Sequence, residues 1–83
     1  MKVELTDKAK RQLKKLPAEQ QRKVIRKLRL LGDFPLFGKV LSGDFSGSYS
    51  FRAWPYRIIY VIDKKSKLVE VITVEHRQRA YKG

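Results

Sequence analysis

The sequence contains no cysteine and a single histidine. Without thiols there is no disulfide, no thiolate nucleophile and no indication of redox compartment. One histidine without cysteine also excludes the usual structural zinc site. Acidic residues are scarce, 8 Asp+Glu against 20 Lys+Arg. No apolar run approaches the roughly 20 residues that span a bilayer. The N-terminus, MKVELTDKAK, lacks an apolar signal core. The expectation is a cytoplasmic protein with no membrane association, no metal and no small-molecule cofactor. No carboxylate dyad and no phosphate-cradling glycine loop is visible either.

What is abundant is positive charge. The net charge is +12 on 83 residues, which is enough chain for one small domain, 1–83. A field of that strength attracts polyanions and accelerates their association. Nucleic acid is the first partner it suggests, an acidic protein the second, an anionic membrane surface the third.

The most structured stretch is WPYRIIYVID, Trp54 to Asp63. Tyr56, Ile58, Tyr60 and Ile62 fall on one parity, Ile59 and Val61 on the other. Branched and aromatic residues on both parities predict a central strand covered on both faces. Arg57 interrupts the pattern at its start, where a cation either serves a site or reaches solvent along the strand end.

Before it, Lys2 to Leu5 reads as a short strand and Thr6 as a helix N-cap. Ala9, Leu13 and Leu16 make one helical stripe, and Pro17 ends that helix and opens the next. In the second helix Val24, Ile25, Leu28 and Leu31 form the apolar stripe, and Gly32 suits the position just past its end. Arg22, Lys23 and Arg26 lie on the polar face with other cations, as a surface for RNA contact or plain solvation. Phe34 to Gly47 is a loop by composition. Phe34, Leu36, Phe37, Val40 and Leu41 are expected to hold it over the open edge of the core.

Ser48 to Ala53 alternates as a strand and reverses at Trp54-Pro55. A turn centred there sets Arg52 opposite Arg57 on one face. Two cations facing each other are unfavourable unless an anion sits between them. Leu68 to Glu75 is the last strand. A three-residue loop at Lys65–Lys67 would pair Arg57 with Glu75 and place Arg77 one step beyond. This meander gathers Arg52, Arg57, His76, Arg77 and Tyr81 at one end of the sheet. Arginines fork onto phosphate and its transition-state charge, histidine moves protons near neutrality, and tyrosine stacks on bases or exchanges a proton.

The order of elements, the loop KVLSGDFSGSY, Arg52, the core PYRIIYVID and the ending VITVEHRQRAY together resemble the RelE/ParE superfamily of bacterial and archaeal toxin–antitoxin toxins. Within it they resemble the RelE-like mRNA interferases, over essentially the whole chain. The resemblance implies an α+β fold: an N-terminal strand and a two-helix hairpin packed on a mostly antiparallel four-stranded sheet. It implies a toxin that enters the ribosomal A site and cuts mRNA by attack of a ribose 2′-hydroxyl on the adjacent phosphate. Arg57 matches the family phosphate and transition-state stabiliser. Arg77 matches the arginine after the last strand, with a related role. Tyr81 matches the C-terminal tyrosine, a stacking residue and candidate general base, and His76 is a second candidate for proton transfer. Arg52 matches a basic position on the preceding strand, and Arg79 and Lys82 add RNA-binding charge to the tail. Ser50 stands where the family often carries a second basic residue. The implied partners are an acidic cognate antitoxin, mRNA and A-site ribosomal RNA. A ParE-like toxin that inhibits DNA gyrase without nuclease activity, and an inactive RNA-binding relative, are the alternatives.

Overall fold

The computed structural model describes residues 1–40 and 47–76. Seven elements follow one another: β1 (Lys2–Leu5), α1 (Asp7–Lys14), α2 (Ala18–Asp33), β2 (Lys39–Val40), β3 (Ser48–Ala53), β4 (Tyr56–Asp63) and β5 (Leu68–His76). The sheet order is β1-β5-β4-β3-β2. β1 runs parallel to β5, and the other pairs are antiparallel. Four longer strands carry the sheet as expected. The two-residue β2 extends it within the stretch that composition marks as a loop.

β4 occupies the centre because its apolar residues suit both neighbours. Ile58 pairs with Phe51 on one side and Val74 on the other, and all three are buried. Val24, Leu28 and Leu31 of α2 and Ala9 of α1 close over the same cluster. Both helices therefore cover one face. On the other face Ile59 and Val61 are only half-buried, so the expectation of burial on both faces is corrected. Ile25 is also corrected: it sits at the flank of the α2 stripe and is exposed.

Thr6 caps α1 by accepting from Ala9 N at 3.1 Å, a contact that contributes about 1 kcal/mol to such helices. Its hydroxyl also donates to Ile72 O at 2.8 Å. Ile72 is the extra residue of a bulge, since Tyr60 pairs with Val71 and Ile59 with Thr73. β1 ends level with Val71, which leaves the edge of β5 open beyond it. Gln12 of α1 fills that role, its Oε1 accepting from Val74 N at 2.7 Å and from Thr73 Oγ1 at 3.0 Å. At the other end of α1, Gln21 Nε2 donates to Leu16 O at 3.0 Å and Lys14 O at 3.2 Å. Carbonyls that the helix leaves over are thus satisfied.

Gly32 does not end α2, which runs on to Asp33. Its lack of a side chain answers a neighbour instead. A Cβ there would lie 3.0 Å from Met1 O and 3.3 Å from Val3 Cγ2, so β1 packs tightly against the helix at this point. The segment after α2 also differs from expectation. Phe34 and Leu36 are exposed rather than packed on the core, Phe37 is largely exposed but sets its ring against the buried Phe51, and Leu41 lies outside the described residues.

What holds that segment is Tyr60. Its ring is fully buried and stacks on Tyr49 at 5.3 Å. Its hydroxyl donates to Pro35 O at 2.8 Å and accepts from Gly38 N at 3.0 Å. Burial raises the Tyr60 phenol above its ordinary value; the Gly38 N–H partly offsets this and Tyr49 adds to it. A raised value in the folded state means stability present below about pH 10 and lost as pH rises through the folded value. Tyr60→Phe should lower stability by about 1–3 kcal/mol at neutral pH, because two loop groups lose their partner. The gap between variant and wild type should narrow above pH 10, as read by urea denaturation at stepped pH.

Candidate functional site

The Trp54–Pro55 turn, which contains a cis peptide bond, sets the register of the β3–β4 hairpin. It pairs Ala53 with Tyr56 and brings Arg52 directly opposite Arg57. Glu75 lies opposite Arg57 on the far side, so the end of the open face reads Arg52, Arg57, Glu75 across three strands. The next row inward holds Lys39, Ser50, Ile59 and Thr73. Directly opposed Cβ atoms lie about 5 Å apart, and like charges there repel. A bound anion between the two guanidinium groups would reverse the sign of that interaction.

Arg52 and Arg57 open onto a groove of about 430 Å³ at the outer edge of the sheet. Lys27 and Lys39 line it with Phe37 and Phe51. Among the described residues its charged lining is entirely cationic. Lys27 Nζ sits 5.7 Å from the centre of the Phe51 ring, within reach of a cation–π contact. Lys27 is one of the polar-face cations of α2, whereas nothing in the sequence singles out Lys39. Lys39 supplies, from β2, a cation in the row where Ser50 supplies none. Only the β2–β3 pairing reveals this, and a two-residue strand leaves no periodicity to read.

His76 occupies the same end of the sheet but the opposite face. It pairs with Tyr56, and successive residues of a strand point to opposite sides. The two rings meet edge to face with centroids 5.5 Å apart. They line a cleft of about 720 Å³ with Lys8, Gln12 and Lys15 of the first helical segment, and Glu75, the residue opposite Arg57, reaches its rim. The structure thus unites Arg52 with Arg57 and separates His76 from both. Arg77, Arg79, Tyr81 and Lys82 lie outside the described residues. Arg22 and Arg26 are exposed on α2. Lys23 instead donates to Trp54 O, tying the helix to the β3–β4 turn. Among the described residues no cluster of His, Asp or Glu could hold a metal ion, and no helix is long and apolar enough to cross a membrane.

Comparison with known families matches residues 3–81 to the ParE toxin of type II toxin–antitoxin system, parDE. This chain belongs to the RelE/ParE toxin family of type II toxin–antitoxin systems. It is 34% identical over 84 residues to Toxin RelG of Mycobacterium tuberculosis, covering 96% of this chain and 94% of that one. It is 32% identical over 82 residues to Toxin RelE of the same organism, covering 96% and 84%. The crystal structure of the toxin–antitoxin complex RelBE2 from M. tuberculosis superposes with a TM-score of 0.86. Sequence identity is 35%, over 92% of this chain and 96% of that one.

Proposed function

We propose that this toxin is a ribosome-dependent mRNA endoribonuclease. The observation that carries the reading is the direct pairing of Arg52 with Arg57 beside a cationic groove. A backbone phosphate between the two guanidinium groups would accept hydrogen bonds from both. Attack by the neighbouring 2′-oxygen forms a new P–O bond and adds charge to the equatorial oxygens. Rigid donors on a central strand stabilise that charge more than the ground state. The bond to the 5′-oxygen then breaks, leaving a 2′,3′-cyclic phosphate and a 5′-hydroxyl. One proton leaves the 2′-hydroxyl and one reaches the 5′-oxygen, so the step balances without water. Arg77 is assigned to the leaving side and Tyr81 to proton removal, both by the family match. The placement of His76 on the far face weighs against its acting at a phosphate held by Arg57.

Charge complementarity supports two further partners. Arg22 and Arg26 offer non-specific contact to ribosomal RNA. An acidic antitoxin fits the net charge of +12, and the RelBE2 toxin relative is captured as a toxin–antitoxin complex. The ParE description of the matched family keeps gyrase inhibition as a second reading.

Inducible expression in a bacterium, followed by primer extension on an abundant mRNA, tests the proposal. Cuts within translated codons that vanish when translation is blocked are expected. Growth arrest with intact mRNA and damaged DNA would move the assignment to gyrase inhibition, and no arrest would leave only a binding relative.

A further inference from the structure

Phe37 combines two properties that rarely coincide. Its side chain is 63% exposed, yet its ring is fixed. It packs against the buried Phe51 ring at 5.3 Å with an interplanar angle of 32°. The backbone on either side is held, Phe37 N donating to Phe34 O at 3.0 Å and Gly38 N to the Tyr60 hydroxyl at 3.0 Å. An exposed aromatic that served only the core would bury its face. Here the ring lines the groove together with Lys27, Lys39 and the arginine pair. Rigid aromatic surface alternating with cations is the composition that binds single-stranded nucleic acid, bases on the rings and phosphates on the charges.

We propose that Phe37 is a stacking platform for one base of a single-stranded RNA whose flanking phosphates are held by Lys39 and Lys27. The proposal rests on the reading of the chain as an RNA-directed toxin. It adds a subsite beside the scissile phosphate, on the outer edge of the sheet. The groove volume falls in the range of sites that accept a small organic ligand, about 300–1,000 Å³. Its all-cationic lining among the described residues favours a polyanion over an uncharged occupant.

The test uses the full chain and a fluorescent decaadenylate with 2′-O-methyl riboses, which cannot be cut by 2′-attack. Binding is read by anisotropy across a salt series. Phe37→Leu should weaken binding about 5- to 100-fold without changing the salt dependence. Phe37→Trp should restore it. Lys39→Gln should instead flatten the slope of log K against log salt by about 0.7. An oligomer with abasic sites should bind wild type and Phe37→Leu equally. Melting curves within a few degrees of wild type confirm that each variant is folded.

Binding by Phe37→Leu within twofold of wild type would overturn the subsite, as would an undiminished Phe37 effect on the abasic oligomer. Loss of antitoxin binding with RNA binding intact would also overturn it, assigning the ring to a protein contact. The two readings fail separately. Codon-internal cleavage with a neutral Phe37→Leu sinks the platform and keeps the nuclease. Phe37-dependent oligomer binding without any mRNA cleavage sinks the nuclease and keeps the platform.

Discussion

Arg57→Ala should reduce mRNA cleavage about 10²–10³-fold, the effect of removing one pre-positioned donor to developing charge. Primer extension across a time course of expression gives the rate, and thermal melting gives the fold. The two should part company. Arg57 stands between Arg52 and Glu75, so its removal gives up an attraction along with a repulsion, while Ile58 and Tyr60 still anchor β4 in the core. Stability should fall by no more than about 1 kcal/mol, the range of an exposed charge pair. Arg57→Lys should recover only part of the rate. A lysine keeps the charge but loses the planar fork that meets two phosphate oxygens together. Wild-type cleavage in both variants would remove Arg57 from the mechanism.

Gly38→Ala should be among the most destabilising single-methyl additions available in this chain. The new Cβ would lie 2.5 Å from the Tyr60 hydroxyl and 2.8 Å from Ser50 O. Neither neighbour can yield cheaply. Tyr60 is fully buried and stacked on Tyr49, and Ser50 belongs to the β2–β3 ladder opposite Lys39. Relief requires moving the segment outward, which breaks the Tyr60 hydrogen bonds and unseats Phe37 and Lys39. The expected cost is about 2–4 kcal/mol, overpacking and unsatisfied loop groups together. Urea denaturation with an unchanged slope checks it. RNA binding should fall in the same variant because the groove loses one wall. A stability loss under 0.5 kcal/mol would show that the segment is not clamped by Tyr60.

Much of the site is legible from the chain alone because short turns transmit register over short distances. A reversal at Trp54-Pro55 is enough to set Arg52 opposite Arg57. The Arg57–Glu75 pairing is also as expected, but by a different route. The turn is four residues, Lys64–Lys67, and the bulge at Ile72 adds the missing step. Two compensating differences gave one register, and only the Thr6 contact to Ile72 O shows why the bulge sits there. Other features depend on distant neighbours and leave no local mark. Gly32 looks like a helix end, yet its requirement comes from Met1 and Val3. His76 is adjacent to Glu75 in sequence and on the other side of the sheet in space. Lys39 enters the site through a pairing too short to show alternation.

The parallel β1–β5 pair carries a consequence for the order of events during synthesis. Contacts such as Thr6 to Ile72 join positions 66 residues apart. β1 and both helices leave the ribosome early, while Val69, Val71 and Val74 complete their core only when β5 follows. Until then β1 has no partner strand, and α1, which packs chiefly on β5, lacks most of the surface that covers its apolar side. A nascent chain therefore carries its positive charge without the paired arginines held on a finished sheet. The β3–β4 hairpin that pairs Arg52 with Arg57 is thus made before the strand that sets Glu75 beside Arg57.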